Sequence, residues 1–254
     1  METQAIENNL TDQQFWANYW DSKTDILHEI GPHYVFFDVF RKIIAKHSIK
    51  NSIELGGFPG YFSLFLTKYL NKQATLLDFF IHPKIINELE VFNNVPKDSI
   101  RFIQGDLFDE SEREKYDLVF SCGLIEHFQN TKDVVRRHVD FLSNDGILLL
   151  TLPNFTGVNG WFQRKFDREN YDKHNISSMD PMLLTRIFED LGFEVEHCGY
   201  YGKFSIWLEN RQQQNMAVKM LFRTVWLAGK MITKLLNFES RIFSPYIVIW
   251  GKKK

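Results

Sequence analysis

The chain has 254 residues, 44% of them hydrophobic and 15% aromatic, with 30 basic and 32 acidic side chains and a formal net charge of −2. Such a length and apolar content suit one α/β unit with a sizeable core and some decoration, and they exclude a disordered or low-complexity protein. The near-neutral balance offers no case for a nucleic-acid partner, and no uninterrupted apolar run reaches membrane-spanning length. Two cysteines, Cys122 and Cys198, are too few for a disulfide framework and form no C-x-x-C metal pair. The first residues, Met1 to Glu7, lack a basic region followed by a long apolar one, so a reduced, cytoplasmic setting is expected.

In chain order, residues 11–20 read as a helix whose Phe15, Trp16, Tyr19 and Trp20 cluster at i, i+1, i+4 and i+5. They serve either as core aromatics of a docking helix or as a cap over a cleft. Next, the short apolar strand Ile53-Glu54-Leu55 ends in the turn Gly56-Gly57-Phe58-Pro59-Gly60, and an amphipathic run from Tyr61 to Leu70 follows. Strand, glycine turn, helix is the order of a nucleotide-binding βαβ unit; the plain alternative is a tight turn without a ligand. Glycine tolerates positive φ and carries no Cβ to hold a ligand off, while the helix start leaves amide donors facing the site. The dinucleotide frame G-x-G-x-x-G fails, because Phe58 and Tyr61 stand where its second and third glycines belong.

Ala74–Asp78 reads as a second buried strand whose acid falls 24 residues after Glu54, placed to accept from vicinal ribose hydroxyls. Ile100–Leu107 is a third, ending in Gly105-Asp106. Tyr116 to Phe128 is a fourth with its loop, Leu124-Ile125-Glu126-His127. Thr131 reads as an N-cap, and Val134, Val135, Val139 and Leu142 form a helical stripe that stops near Asn144-Asp145-Gly146. Ile147–Leu152 has the continuous apolar character of a strand buried on both faces. The stretch from Asn154 to Asp180, with His174 and Asn175, is long for a connection and begins at a strand end, so it is expected to border a site. Met182–Leu191 reads as a helix, Phe193–His197 as a sixth strand and Tyr246–Trp250 as a last one; the alternation implies a mostly parallel sheet covered on both faces.

Charge is uneven near the end of the chain. Residues 211–254 hold nine basic side chains against one acid, Glu239. Within 215–237, Lys219, Arg223, Lys230 and Lys234 fall within about 60° of one another on a helix, with Trp226 in the same stripe. Val218, Leu221, Val225, Ala228, Ile232 and Leu236 are expected on the opposite, packed face. Such a helix either turns a solvated basic side outward or makes peripheral contact with a membrane surface.

Taken together, Glu54-x-Gly56-x-x-x-Gly60, Asp78, Gly105-Asp106 and Leu124-Ile125-Glu126-His127 resemble the motifs of class I S-adenosylmethionine (SAM) dependent methyltransferases, over about residues 50 to 254. Motif I of that family usually runs E/D-x-G-x-G-x-G, and Phe58 stands at its middle glycine. The resemblance implies a Rossmann-like α/β fold, a seven-stranded sheet in the order 3-2-1-4-5-7-6 with the last strand antiparallel. It implies a single domain over 1–254, with capping helices about 1–50, an acceptor-side insertion about 154–180 and a basic helical insertion about 211–242. It also implies S-adenosyl-L-methionine as cofactor, contacted by Glu54, Gly56, Gly57, Gly60, Asp78, Asp106, Leu107 and Ser121, with an acid in the place of Asp106 on the adenine amino group.

Methyl transfer from a sulfonium demands mainly positioning. For a hydroxyl acceptor a base is useful, and His127 followed by His174 are the candidates. Glu126-His127 is similar to the metal-binding E-x-x-E-H of small-RNA 2′-O-methyltransferases and some ubiquinone-pathway O-methyltransferases. Gly123 replaces its first acid, so no metal is expected. The acceptor is expected to be a small molecule, a glycan or a lipid-linked intermediate. Two alternatives stay open: a SAM-binding interaction module without turnover, and an NAD(P)-dependent oxidoreductase.

Overall fold

A computed structural model describes residues 8–23, 25–109, 113–236 and 238–254. Seven strands, β1 (Asn51–Leu55), β2 (Gln73–Asp78), β3 (Ile100–Gln104), β4 (Tyr116–Cys122), β5 (Leu142–Pro153), β6 (Phe193–Tyr201) and β7 (Tyr246–Lys253), form one sheet in the order β3-β2-β1-β4-β5-β7-β6. β7 pairs antiparallel with both β5 and β6, and the other pairings are parallel. The expected strand order therefore holds. Chain connectivity reverses between β1 and β4, and ligands of open α/β sheets bind beyond the strand ends at such a switch point.

Nine helices are named here: α1 (Gln13–Asp21), α2 (Phe37–Lys46), α3 (Tyr61–Leu70), α4 (Pro83–Phe92), α5 (Thr131–Val139), α6 (Val158–Phe166), α7 (Arg168–Asp172), α8 (Pro181–Asp190) and α9 (Met216–Leu236). Strand parity divides the core. Leu148 and Leu150 pack with Val134, Val135, Leu184 and Phe188 on the α5/α8 face, while Ile147 and Leu149 pack with Phe40, Ile43, Leu64 and Phe65 on the α2/α3 face. Alternate residues of one strand point to opposite faces, which is why this strand reads as an unbroken apolar run. Two boundaries differ from the sequence reading. Asn130, not Thr131, caps α5 by accepting from Asp133 N at 3.1 Å. Leu142 opens β5 instead of closing the helical stripe, because it pairs with Tyr116.

The first turn is shaped by a buried acid. Ile53 and Leu55 face one core, so Glu54 points toward α3, where its Oε2 accepts from Ser63 N at 2.9 Å and Ser63 Oγ at 2.7 Å. It thus caps α3 from the preceding strand and satisfies an orphan amide of its first turn. Gly60, at φ 94°, takes the N-cap position in the left-handed region, where a Cβ is disfavoured. Gly57 is required by contact: a Cβ there would lie 2.2–2.3 Å from the Glu54 carboxylate.

α9 carries a correction. Its packed stripe is Phe222, Val225, Gly229 and Thr233, seated on a satellite core that includes Phe162 and Phe204; a Cβ on Gly229 would stand 2.2 Å from the Phe204 ring. Leu221, Ala228 and Ile232, expected to pack, are exposed. Small residues set the approach, so the helix lies on the stripe that admits Phe204.

Gly57→Ala is expected to force the Glu54 carboxylate off Ser63 and cost about 1–3 kcal/mol. A lowered denaturant midpoint at unchanged m-value checks this; an unchanged midpoint refutes the contact.

Candidate active site

The turns after β1, β2, β3 and β4 border a cleft. Its walls include Gly56 and Phe58, Asp78 and Phe79, Gly105 and Leu107, and Gly123, Leu124, His127 and Phe128. Trp16 and Trp20 of α1 line its outer side. This short helix buries none of its own residues and is held at its ends: Gln13 Nε2 donates to Phe79 O at 3.0 Å, and Leu10 N just before it donates to His127 O at 2.8 Å. Lys23, just after it, pairs with Glu209 at 2.8 Å.

Asp78 joins two of these turns. Its Oδ2 accepts from Phe58 N at 2.9 Å and its Oδ1 from Phe80 N at 3.0 Å. Burial nevertheless pushes its pKa up to about 6. Each carboxylate oxygen keeps a further lone pair, so a ligand offering two neighbouring hydroxyls fits this wall. Phe58 shows why the missing middle glycine is tolerated. Its amide is the group Asp78 holds, and its ring leaves the turn to lie edge-on against Trp20 and Phe80, at 5.3 and 5.2 Å. The apolar side chains Phe79, Leu107, Leu124 and Phe128 make much of the remaining wall apolar.

A second, wider cleft opens beside the first and shares Trp16, Trp20, Gly56, Phe58, Gly123 and His127 with it. Gly57, Glu54, Glu126, His174, Trp207 and Tyr246 also contribute to its lining. His127 therefore stands at the junction. Its Nδ1 donates to Lys173 O at 3.0 Å, and that of His174 donates to Asn170 O at 2.7 Å, since a carbonyl can only accept. Both rings thereby keep Nε2 as the unprotonated nitrogen when neutral. Burial is the main reason both imidazoles are harder to protonate, His127 falling to about 3, and it raises the Glu126 carboxyl to about 8. The two rings lie 4.7 Å apart. Glu126, His127 and His174 each place one ligand atom within 4.8 Å of the others, so they are the described residues that could hold a metal.

Three residues expected to contact the cofactor line neither cleft. Ser121 is 1% exposed and donates to His138 Nε2 at 2.9 Å inside the core, on the same sheet face as Val119. Asp106 folds back so that Oδ1 accepts from Phe108 N at 2.8 Å, leaving its neighbours Gly105 and Leu107 on the cleft wall. Gly60 faces Leu76 and Ile100 beneath the turn. Sequence reasoning did not name Phe79, although it directly follows the acid of β2; Trp207 and Tyr246 reach the site from distant elements and carried no local signal.

A methyltransferase-domain family model matches residues 24–198. The chain belongs to that family, and S-adenosyl-L-methionine is its methyl-donor cofactor. Over 139 residues it is 27% identical to malonyl-[acyl-carrier protein] O-methyltransferase 2 of Ilyobacter polytropus, a match over 54% of this chain and only 48% of that protein. The matched region thus spans about half the length of this curated relative. The fold is shared with geranyl diphosphate C-methyltransferase from Streptomyces coelicolor A3(2), at TM-score 0.58 and 11% identity over 95% of this chain and 98% of that one. It is shared too with a SAM-dependent methyltransferase from Archaeoglobus fulgidus, at TM-score 0.53 and 16% identity over 85% and 91%.

Proposed function

We propose that this methyltransferase acts on a hydroxyl of a small-molecule, glycan or lipid-linked acceptor bound in the wider cleft, with His127 and His174 activating the acceptor oxygen. The observation that carries this reading is the place of His127, which lines both clefts at their junction. Bound SAM supplies an electrophilic methyl group on a sulfonium. Asp78 holds the ribose, the walls around Phe79 and Leu107 take the base, and Gly56, Gly57 and Gly123 let backbone approach the amino-acid end. Glu54 acts through the turn it braces, as a positioning residue. Aromatic rings from α1, with Trp207 and Tyr246, flank the acceptor space, which suits a sugar ring or an apolar chain. The O-methyltransferase name of the curated relative agrees with oxygen as the acceptor atom.

Membrane contact belongs to the same reading. α9 has no acid, and its cations Lys219, Arg223, Lys230 and Lys234 border an outward arc of Met220, Leu227, Met231 and Leu235, the last 81% exposed. Four cations beside an apolar arc complement an anionic bilayer surface, where each Lys or Arg contributes about 1 kcal/mol.

Asp78→Ala is expected to weaken SAM or S-adenosylhomocysteine binding about ten-fold or more, because it removes a hydrogen bond to a charged group worth about 1.5–3 kcal/mol. Calorimetric titration measures it, and unchanged affinity in a folded variant removes Asp78 from the site. His127→Ala is expected to keep cofactor affinity and lose turnover with hydroxyl acceptors; full turnover would leave His127 a packing residue.

Vesicle sedimentation tests α9. Binding is expected to phosphatidylglycerol-containing vesicles but not to phosphatidylcholine alone, with loss at high salt and in Met231→Ser/Leu235→Ser. A salt-insensitive dimer broken by those substitutions, without vesicle binding, overturns the membrane assignment.

A further inference from the structure

The acceptor end of the wide cleft contains more ligand chemistry than a base requires. Glu126 is 1% exposed, and its Oε2 has no hydrogen-bond partner. A buried carboxylate oxygen without a donor is costly to leave bare. Beside it stand the two imidazoles whose Nδ1 atoms are tied to backbone carbonyls, and among the described residues no hydrogen-bond partner engages either Nε2. Metal-binding histidines are held in this way: one ring nitrogen donates to a carbonyl, which fixes the ring and leaves the other as ligand.

We propose that Glu126, His127 and His174 form a divalent-cation site that holds the acceptor oxygen, a reading that rests on the assignment of this cleft to a hydroxyl acceptor. Two imidazoles and one carboxylate suit a borderline cation such as zinc, cobalt(II), manganese(II) or iron(II), and suit magnesium or calcium poorly. Three protein ligands leave a coordination position open, as in catalytic and not structural sites. Gly123 offers no side chain there, and the lining of the wide cleft includes Gly123 and all three ligands.

The segments that carry the ligands are tied to each other. Asn175 N donates to Glu126 O at 2.6 Å, and Asn175 Nδ2 donates to Phe128 O and Gln129 O at 2.9 Å each. The turn after β4 and the stretch after α7 are thereby fixed before any cation arrives, so little ordering cost falls on binding. In the reaction, the cation draws electron density from the acceptor hydroxyl, whose proton passes to water in the open cleft. A lone pair of that oxygen forms the new bond to carbon while the sulfur–carbon pair returns to sulfur, giving the methyl ether and the neutral thioether S-adenosylhomocysteine.

Titration of the metal-stripped full chain with cobalt(II), followed by visible absorption and equilibrium dialysis, tests the site. One cobalt per chain with d–d bands is expected, along with loss of turnover on stripping and its return with the cation. Glu126→Gln and His174→Gln are each expected to weaken cobalt binding about ten-fold or more, at unchanged affinity for S-adenosylhomocysteine, which certifies that both variants are folded. Absence of stoichiometric cobalt, or equal binding by wild type and both variants, overturns the site. If cobalt binds as described but hydroxyl acceptors are never methylated, the acceptor assignment fails and the cation site stands.

Discussion

The carboxylate of Asp78 is the constraint on which the cofactor side depends. One partly buried group holds the amides of Phe58 and Phe80 and so fixes the turns after β1 and β2 relative to each other. Burying a carboxylate is unfavourable unless it is well bonded. Here the bonds run to backbone, which makes the site's shape independent of the side chains that the turns display. Glu54 repeats the device one strand away, bracing the start of α3 through Ser63. Two acids therefore build the cradle, and the second also keeps lone pairs for what the cradle holds.

This division of labour explains how a phenylalanine can stand where related loops have glycine. What the loop supplies at that position is an amide, and every residue but proline has one. The ring is free to turn outward, and two aromatic neighbours, Trp20 and Phe80, cover it. In consequence Phe58 links the loop to α1. The helix that borders the cleft touches the turn after β1, so displacement of one is felt by the other.

Much of the sheet was legible because the inner parallel strands β1, β2, β4 and β5 are buried on both faces, and each parallel strand ends at a glycine, an acid or a proline, which mark its end. Parity was the neglected signal. Val119 faces the α5 core, so Ser121, two residues on, faces it as well and meets His138 instead of a ligand. Asp106 closes an Asx turn on Phe108 N with one carboxylate oxygen, as Asp78 does on Phe80 N. The α9 face could not be read from hydropathy, since Gly229 and Thr233 seat the helix on Phe204 through their small size. His174 was visible only as a histidine in a long connection. That it lies 4.7 Å from His127 is a product of topology, through the Asn175 ties that fold the stretch after β5 back over the turn after β4.

Specificity follows from the same separation. The strand-end turns that border the narrow cleft come from β1 to β4, the half of the sheet that carries the family motifs. The wide cleft shares the turns after β1 and β4 and adds further residues of α1, the stretch around α7 and the strand-free segment that contributes Trp207 and Glu209. Gln163 Nε2 donates to Trp207 O at 2.8 Å and Asp167 accepts from Glu209 N at 2.8 Å, so the segment before α9 is fastened to α6 and α7. Lys23 then reaches Glu209 from beyond α1. The three decorations thus close on one another around the wide cleft, and α9 leaves from their outer edge. Asp78 and Glu54, the carboxylates that brace the turns after β1 and β2, make none of their bonds to these decorations.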